Sequence, residues 1–297
     1  MNEFYAADPE SCDNSGELRF MLGRFGPYSG RYLADFPSSW QEGVLRYCQE
    51  LGPAEAERLK TAIRRAREGA SLLRNNALPW SSQLDWIGNY LEVLRQRPGT
   101  FSNAIVRRSR QVESLLTIDD LELSPTADEL VDAIPDEYVR VSRTLLKISP
   151  ELAFIDPYVS PCTSDRRDVL VAMLREVATG KCRQVMVWSK YSLVVSEKKH
   201  SLVEVRDAWR DILHEAAWPA GRQFKHVLID DSASKVRMHG RYLISIKGGV
   251  RYDQGFQRFG RGRGNEVSPV GRSLHDVLFG IYFENSHDMQ IVHTTEM

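Results

Sequence analysis

Cysteine is scarce in this chain. Cys12, Cys48, Cys162 and Cys182 are the only four among 297 residues, and no two form a CxxC pair. That spread argues against a metal knuckle or a disulfide framework, so no metal or other cofactor is expected and a reducing cytoplasm is the expected compartment. Long apolar runs are missing too. None approaches the roughly 18 residues that span a bilayer, and no membrane partner is expected. The opening stretch MNEFYAADPESCDNSGE has neither a basic segment nor an apolar core, so no secretory signal is expected. The phosphate-cradling Walker loop, the Gly-x-Ser-x-Gly nucleophile elbow and the His-Glu-x-x-His zinc helix are all absent.

What is present has ordinary globular proportions, 42% hydrophobic and 27% charged. The length suits one large or two modest domains of roughly 100–200 residues each. Net charge is only −1, yet it is segregated. Residues 1–17 carry five acids and residues 118–137 carry eight, both without a single Lys or Arg; residues 222–272 carry eleven Lys and Arg against four acids. Such a basic segment attracts phosphates, or it pairs with the acidic segments within the chain or between subunits.

Taken in order, residues 1–38 read as an extended, aromatic-bearing lead-in, because Gly23, Gly26, Pro27, Gly30 and Pro37 preclude a long helix. Residues 39–135 read as a helical domain. Within it, Leu59, Ile63, Ala66, Ala70 and Leu73 form one helical stripe behind Pro53, and Leu84, Ile87, Leu91 and Leu94 form another. Thr126-Ala127-Asp128-Glu129 reads as a capping box opening a further helix that is interrupted at Pro135.

From residue 136 to 297 the pattern is α/β. Strands are expected at 152–158, 184–188, 224–229 and 236–246, the last two adjacent, with late strands at 276–284 and 289–293. Helices are expected from Ser164 or Asp165 and from Leu202 to Ala217. That alternation predicts a mixed, largely parallel sheet with helices on both faces.

Chemistry concentrates in Lys235–Phe256, where Met238-His239-Gly240-Arg241 interrupts an otherwise apolar run. In a strand, residues two apart share a face, so His239 and Arg241 are predicted to converge on one anionic group. Ser245 would share that face, and Asp253 is the candidate to orient the imidazole. Arg237, Lys247, Arg251, Arg258, Arg261 and Arg263 are the candidate phosphate or nucleic-acid ligands. Tyr252, Phe256 and Phe259 interleave with these arginines in a pattern that suits single-stranded nucleic acid, or else a disordered Gly-rich loop. Asp230-Asp231 after a strand is an acid pair that could hold Mg2+, or a solvated strand-end turn.

The element order, together with Phe154-Ile155-Asp156-Pro157-Tyr158, the His239-Gly240-Arg241-Tyr242-Leu243-Ile244-Ser245 strand, the Gly248-Gly249-Val250 turn and Gly255-Phe256, resembles the phospholipase D-like superfamily, over about residues 145–297. That family's motif is His-x-Lys, an Asp seven residues after the His, then Gly-Ser-x-Asn. Here Arg241 replaces the Lys, Ile246 replaces the Asp, and Gly248-Gly249 replaces Gly-Ser. None of the other six histidines is followed two residues later by Lys or Arg. The likeness is to degenerate single-motif members. It implies a module that binds phosphate, nucleic acid or a companion subunit without turnover, in a setting such as an accessory component of bacterial anti-phage defence.

The alternative is a metal-independent phosphodiesterase or nuclease completed by a homodimer. In it His239 would attack phosphorus while Arg241 clamps the phosphate oxygens with its planar fork. A third reading keeps His239 and Arg241 structural, bound to a loop carboxylate such as Asp156 or Asp230.

Overall fold

Four strands too short to show an alternating pattern build the first sheet. In the computed structural model, which describes residues 3–47, 52–74, 78–108, 114–121, 128–198, 200–234, 237–284, 286 and 289–297, the chain divides near residue 126 into two compact units. The first contains β1 (Glu3–Ala7), α1 (Ser15–Gly23), β2 (Arg31–Asp35), α2 (Trp40–Tyr47), α3 (Pro53–Glu68), β3 (Leu72–Arg74), α4 (Trp86–Gln96) and β4 (Asn103–Ile105). All its strand pairs are parallel, in the order β3-β2-β1-β4. This is a doubly wound arrangement, with the chain reversing direction across the sheet between β1 and β4.

Residues 1–38 are therefore no extended lead-in, and residues 39–135 are no purely helical domain. The glycines and prolines that preclude a long helix fall in the turns between short strands. Burial on both faces explains why these strands lack alternation. Tyr5 and Ala7 enter one core layer with Leu18, Leu59 and Ile63, while Ala6 enters the opposite layer with Trp86, Tyr90 and Val93. The α3 stripe is as predicted through Leu59, Ile63 and Ala66. The α4 stripe is displaced. Leu84 and Leu91 are exposed, and Trp86, Asn89, Tyr90 and Val93 are the buried side. Asp85 sets that register by accepting from Gly88 N at 2.7 Å as the N-cap.

The second unit is mixed α/β. It comprises β5 (Glu129–Ala133), α5 (Pro135–Ile148), β6 (Glu151–Ile155), α6 (Ser164–Ala178), β7 (Gln184–Lys190), α7 (Leu202–Glu215), β8 (Gln223–Asp230), β9 (Tyr242–Ser245), β10 (Gly248–Tyr252), β11 (Gly260–Pro269), α8 (Arg272–Phe283) and β12 (Gln290–Glu296). Eight strands form one sheet in the order β12-β8-β7-β6-β9-β10-β11-β5. Only β6–β7 and β7–β8 are parallel; the other pairs are antiparallel. The sheet is thus mixed rather than largely parallel. Period-two burial sorts its central strands. Leu152, Phe154, Val185 and Val187 face α5, α6 and α7, whereas Ala153, Ile155, Met186 and Trp188 face α8.

Three element predictions change. Of the described residues of the expected 236–246 strand only Tyr242–Ser245 is paired, and β9 lies between β6 and β10 rather than beside β8. The expected strand at 276–284 is α8, which turns Leu278, Ile281 and Tyr282 onto the sheet at helical spacing. Of the expected capping box, Thr126 and Ala127 lie outside the described residues, and Glu129 opens a strand, with Pro135 as the first residue of the helix that follows.

Elsewhere the helix starts are legible in the residues. At α7, Ser201 Oγ accepts from Glu204 N at 3.1 Å, while the Glu204 carboxylate accepts from Ser201 N at 2.6 Å. Ser201→Ala is expected to cost about 1 kcal/mol. In a unit of this size that is a thermal midpoint lower by about 2–4 °C; an unchanged midpoint would remove the cap's role.

Candidate functional site

The parallel strands β6, β7 and β8 end on one side of the sheet, at Asp156, Lys190 and Asp230. Because β9 runs antiparallel to β6, with Tyr242 opposite Ile155, the chain enters β9 at that same edge. The strand β10 leaves there too, with Arg251 opposite Tyr242. Arg237, His239, Arg241 and Asp253 are therefore brought to the carboxyl edge, the side of an α/β sheet where ligands bind.

His239 and Arg241 arrive on irregular chain rather than on a strand, so the shared-face argument does not place them. Met238 does. Its side chain is buried against α8 and the sheet, and its N–H donates to Asp231 Oδ2 at 2.7 Å. The same carboxylate oxygen holds Lys190 Nζ at 2.9 Å. The flanking Arg237 and His239 are left exposed. Asp230 turns away from Asp231 and accepts from Ser232 N at 2.9 Å, a bond that holds its carboxyl below the usual range. The acid pair is thus divided between a lysine and a turn. Among the described residues no group of three or more His, Cys, Asp or Glu side chains is placed to hold a metal ion.

Arg241 is held from two sides. Its Nη1 donates to the Asp253 carbonyl at 2.7 Å, and its guanidinium carbon lies 5.4 Å from the Tyr158 ring centroid. Beside it Asp156 is buried, with Oδ1 accepting from Tyr158 N at 2.8 Å and Oδ2 from Phe256 N at 3.2 Å. Burial pushes the Asp156 carboxyl up; the two amides, and then Arg166 and Arg241, pull it back. A side chain at Gly240 would collide with the Tyr242 ring, which keeps the link between His239 and Arg241 bare.

Residues 253–259 form a strap over this edge. Asn265, fully buried, accepts from Gln254 N at 2.8 Å and donates to Gly255 O at 3.3 Å and Tyr138 Oη at 2.9 Å. Tyr138 Oη donates to Gln257 O at 2.7 Å, and Arg166 Nη2 donates to Gln257 Oε1 at 3.0 Å. Burial pushes the Tyr138 phenol up to about 12, so it remains a donor at neutral pH.

The remaining sequence candidates scatter. Ser245 does not join His239. It is buried at the far end of β9, where its Oγ accepts from Lys247 N at 3.1 Å and its carbonyl accepts from His275 Nε2 at 2.7 Å. Lys247 lies in that opposite turn, its ammonium pKa lowered by burial and by Lys181. Asp253 meets Arg241 through its carbonyl, and its carboxylate accepts from Gln254 Nε2 at 3.1 Å rather than orienting an imidazole.

Arg258 pairs with Asp168 at 2.7 Å. Arg251, on β10, and Arg261 and Arg263, on β11, are exposed; with Arg237 they have no ion-pair partner among the described residues. Tyr252 and Phe256 are buried and Phe259 packs against the core, so the aromatics interleaved with these arginines are not stacking surfaces. Sequence reasoning named Asp156 only as a loop carboxylate for His239 and Arg241, and gave Tyr158 no role in the site. The Asp-Pro-Tyr turn at a strand end is the signal that finds them, because an Asp side chain commonly caps the amide two residues on.

In chemical terms the edge offers an anchored guanidinium fork and, two residues before it in the chain, an exposed imidazole. His239 makes no hydrogen bond among the described residues, so no carboxylate fixes its tautomer.

No family model matches this chain, and no curated protein matches it. A solved structure to which it is similar is that of TrmBL2, an archaeal chromatin protein with a novel mode of DNA binding. The identity is 10% and the TM-score 0.30, over 86% of this chain and 71% of that one. At that TM-score the likeness carries no argument.

Proposed function

We propose that the second unit is a non-catalytic, phospholipase D-like module whose carboxyl edge binds the phosphates of a nucleic acid. The observation that supports this reading most is Arg241. It spends one N–H on the Asp253 carbonyl, is steadied by the Tyr158 ring, and keeps the rest of its planar donor set for a phosphate beside exposed His239. Arg237, Arg251, Arg261 and Arg263, none paired with a described acid, add the long-range field that draws a polyanion to this part of the sheet. The lack of turnover follows from three features. His239 has no orienting partner among the described residues, Ser245 is at the other end of β9, and the chain supplies no second His-x-Lys or His-x-Arg motif.

The test is fluorescence anisotropy with a dye-labelled 20-nucleotide oligonucleotide, with and without EDTA. Arg241→Ala is expected to weaken binding roughly 10- to 100-fold, the worth of charge-assisted hydrogen bonds. Affinity should also fall steeply with salt. Cleavage by the parent in EDTA, lost in His239→Ala with binding retained, would replace this reading by the homodimeric phosphodiesterase. No binding by the parent would remove both.

A further inference from the structure

The C-terminal unit exposes one large aromatic side chain among its described residues, Tyr158, with 45% of its surface accessible. It stands at the carboxyl end of β6, beside the cation that the function above rests on. Its backbone is fixed from three sides. The Tyr158 N–H donates to Asp156 Oδ1 at 2.8 Å, Val159 N donates to Asp156 O at 3.2 Å, and Lys190 N donates to Pro157 O at 3.1 Å. An exposed aromatic normally costs solvation and is expected to sit in a core or an interface. This one is held out on a rigid turn, and its ring contact is the Arg241 guanidinium at 5.4 Å.

From this geometry we infer that Tyr158 is a base-stacking platform, and that the ligand of the edge is a single-stranded nucleic acid. The inference rests on the phosphate-binding reading and narrows it. A guanidinium over one part of the ring leaves an accessible aromatic surface for a nucleobase, while the phosphate joined to that base lies within the reach of Arg241 and His239. Stacking of this kind tolerates any base, because every base has a π face. It requires that the base be unpaired and unstacked, which a duplex does not offer. The other aromatics of the edge do not serve: Tyr252 and Phe256 are buried, Tyr191 packs against the core below α7, and Tyr242 packs against the layer under α8.

The experiment compares three labelled 20-mers on the full chain: oligo-dT, an abasic-spacer strand with the same phosphates and no bases, and a duplex. Oligo-dT is expected to bind roughly tenfold tighter than the abasic strand. Tyr158→Ala is expected to collapse that ratio towards one, and Tyr158→Phe to preserve it. The ratio is the readout because any disturbance of Arg241 in Tyr158→Ala weakens both strands alike. Equal binding of oligo-dT and abasic strand by the parent, with Arg241→Ala still weakening both, overturns the stacking platform and leaves the phosphate site standing. Duplex bound as tightly as oligo-dT overturns the single-strand assignment. Failure of the parent to bind any of the three overturns the phosphate site, and the platform with it.

Discussion

Lowering the pH from 7 to 4 is expected to cost the second unit about 3 kcal/mol of stability through one buried histidine. His226 is fully buried on β8, between Trp209 and Ser189. Trp209 Nε1 donates to its Nδ1 at 2.8 Å, and its Nε2 lies 3.0 Å from Ser189 Oγ. An indole N–H can only donate, so Nδ1 is the acceptor and Nε2 carries the hydrogen. Both ring nitrogens are thereby committed in the neutral state. Burial, and next the nearby His293, lowers its pKa from 6.5 to about 3.

The sign follows from that direction. In the unfolded chain the imidazole takes a proton as the pH falls through about 6.5, while the folded chain refuses it until about pH 3. The unfolded state is therefore favoured progressively between those values, at about 1.4 kcal/mol per pH unit. Above pH 6.5 this group contributes no slope. Asp156, whose carboxyl burial pushes up, opposes the trend. The clean measurement is therefore the difference between the urea-unfolding curves of the parent and His226→Gln, whose amide can still accept from Trp209. Curves that stay parallel from pH 7 to 4 would sink the assignment.

Gly255→Ala is the most disruptive small substitution expected at the site, at about 2–4 kcal/mol from left-handed backbone and overpacking together. Gly255 has φ +70°. A Cβ there would press on Asp156 Oδ2 and lie 2.8 Å from Arg241 Cδ. The methyl group would have to displace the strap, and with it the Asp253 carbonyl that anchors Arg241. Oligonucleotide affinity is expected to fall in the same variant. Gly262→Ala is the control, because φ is +75° there and a Cβ meets nothing within 4 Å. It should lose only the backbone penalty, about 1–2 kcal/mol. Equal losses in the two variants would mean that crowding at Asp156 is not what requires glycine.

The legible parts of this fold are those where a long apolar period meets a strong start signal. The α6 face of Val169, Leu170, Met173, Leu174 and Val177 is buried as its spacing predicts. The α7 face of Val205, Trp209, Ile212 and Leu213 is buried behind its capping box. The first sheet was illegible for a physical reason. Strands as short as Leu72–Arg74 and Asn103–Ile105, covered on both faces, have no period to detect. In α8, the stretch Asp276–Phe283 is rich in β-branched and aromatic residues, and packing under the sheet overrides that local preference.

At the site, the sequence pointed to His239, Arg241 and Asp253; the segments that carry them all reach the carboxyl edge, where Arg241 bonds the Asp253 carbonyl and His239 makes no hydrogen bond among the described residues. Ser245 lies at the wrong end of β9, because the period-two argument presumed a strand that begins only at Tyr242, and Lys247, a candidate from the basic segment, lies in the turn beyond it. The bond from Phe256 N to Asp156 and the Asn265 network were beyond reach, since those partners lie 100 and 127 residues apart in the chain.

The placement of β5 has a kinetic consequence. Its partner is β11, and Gly262 N reaches Asp132 Oδ1 across 130 residues of sequence. At ribosomal speeds of about 5–20 residues per second, β5 waits roughly 6–26 seconds for that partner to be made. Leu130, 76% exposed even in the finished sheet, is uncovered throughout this interval. The parallel pairs β6–β7 and β7–β8 join neighbours in the chain and can form in the meantime, while the β5–β11 closure has to wait for the rest of the unit.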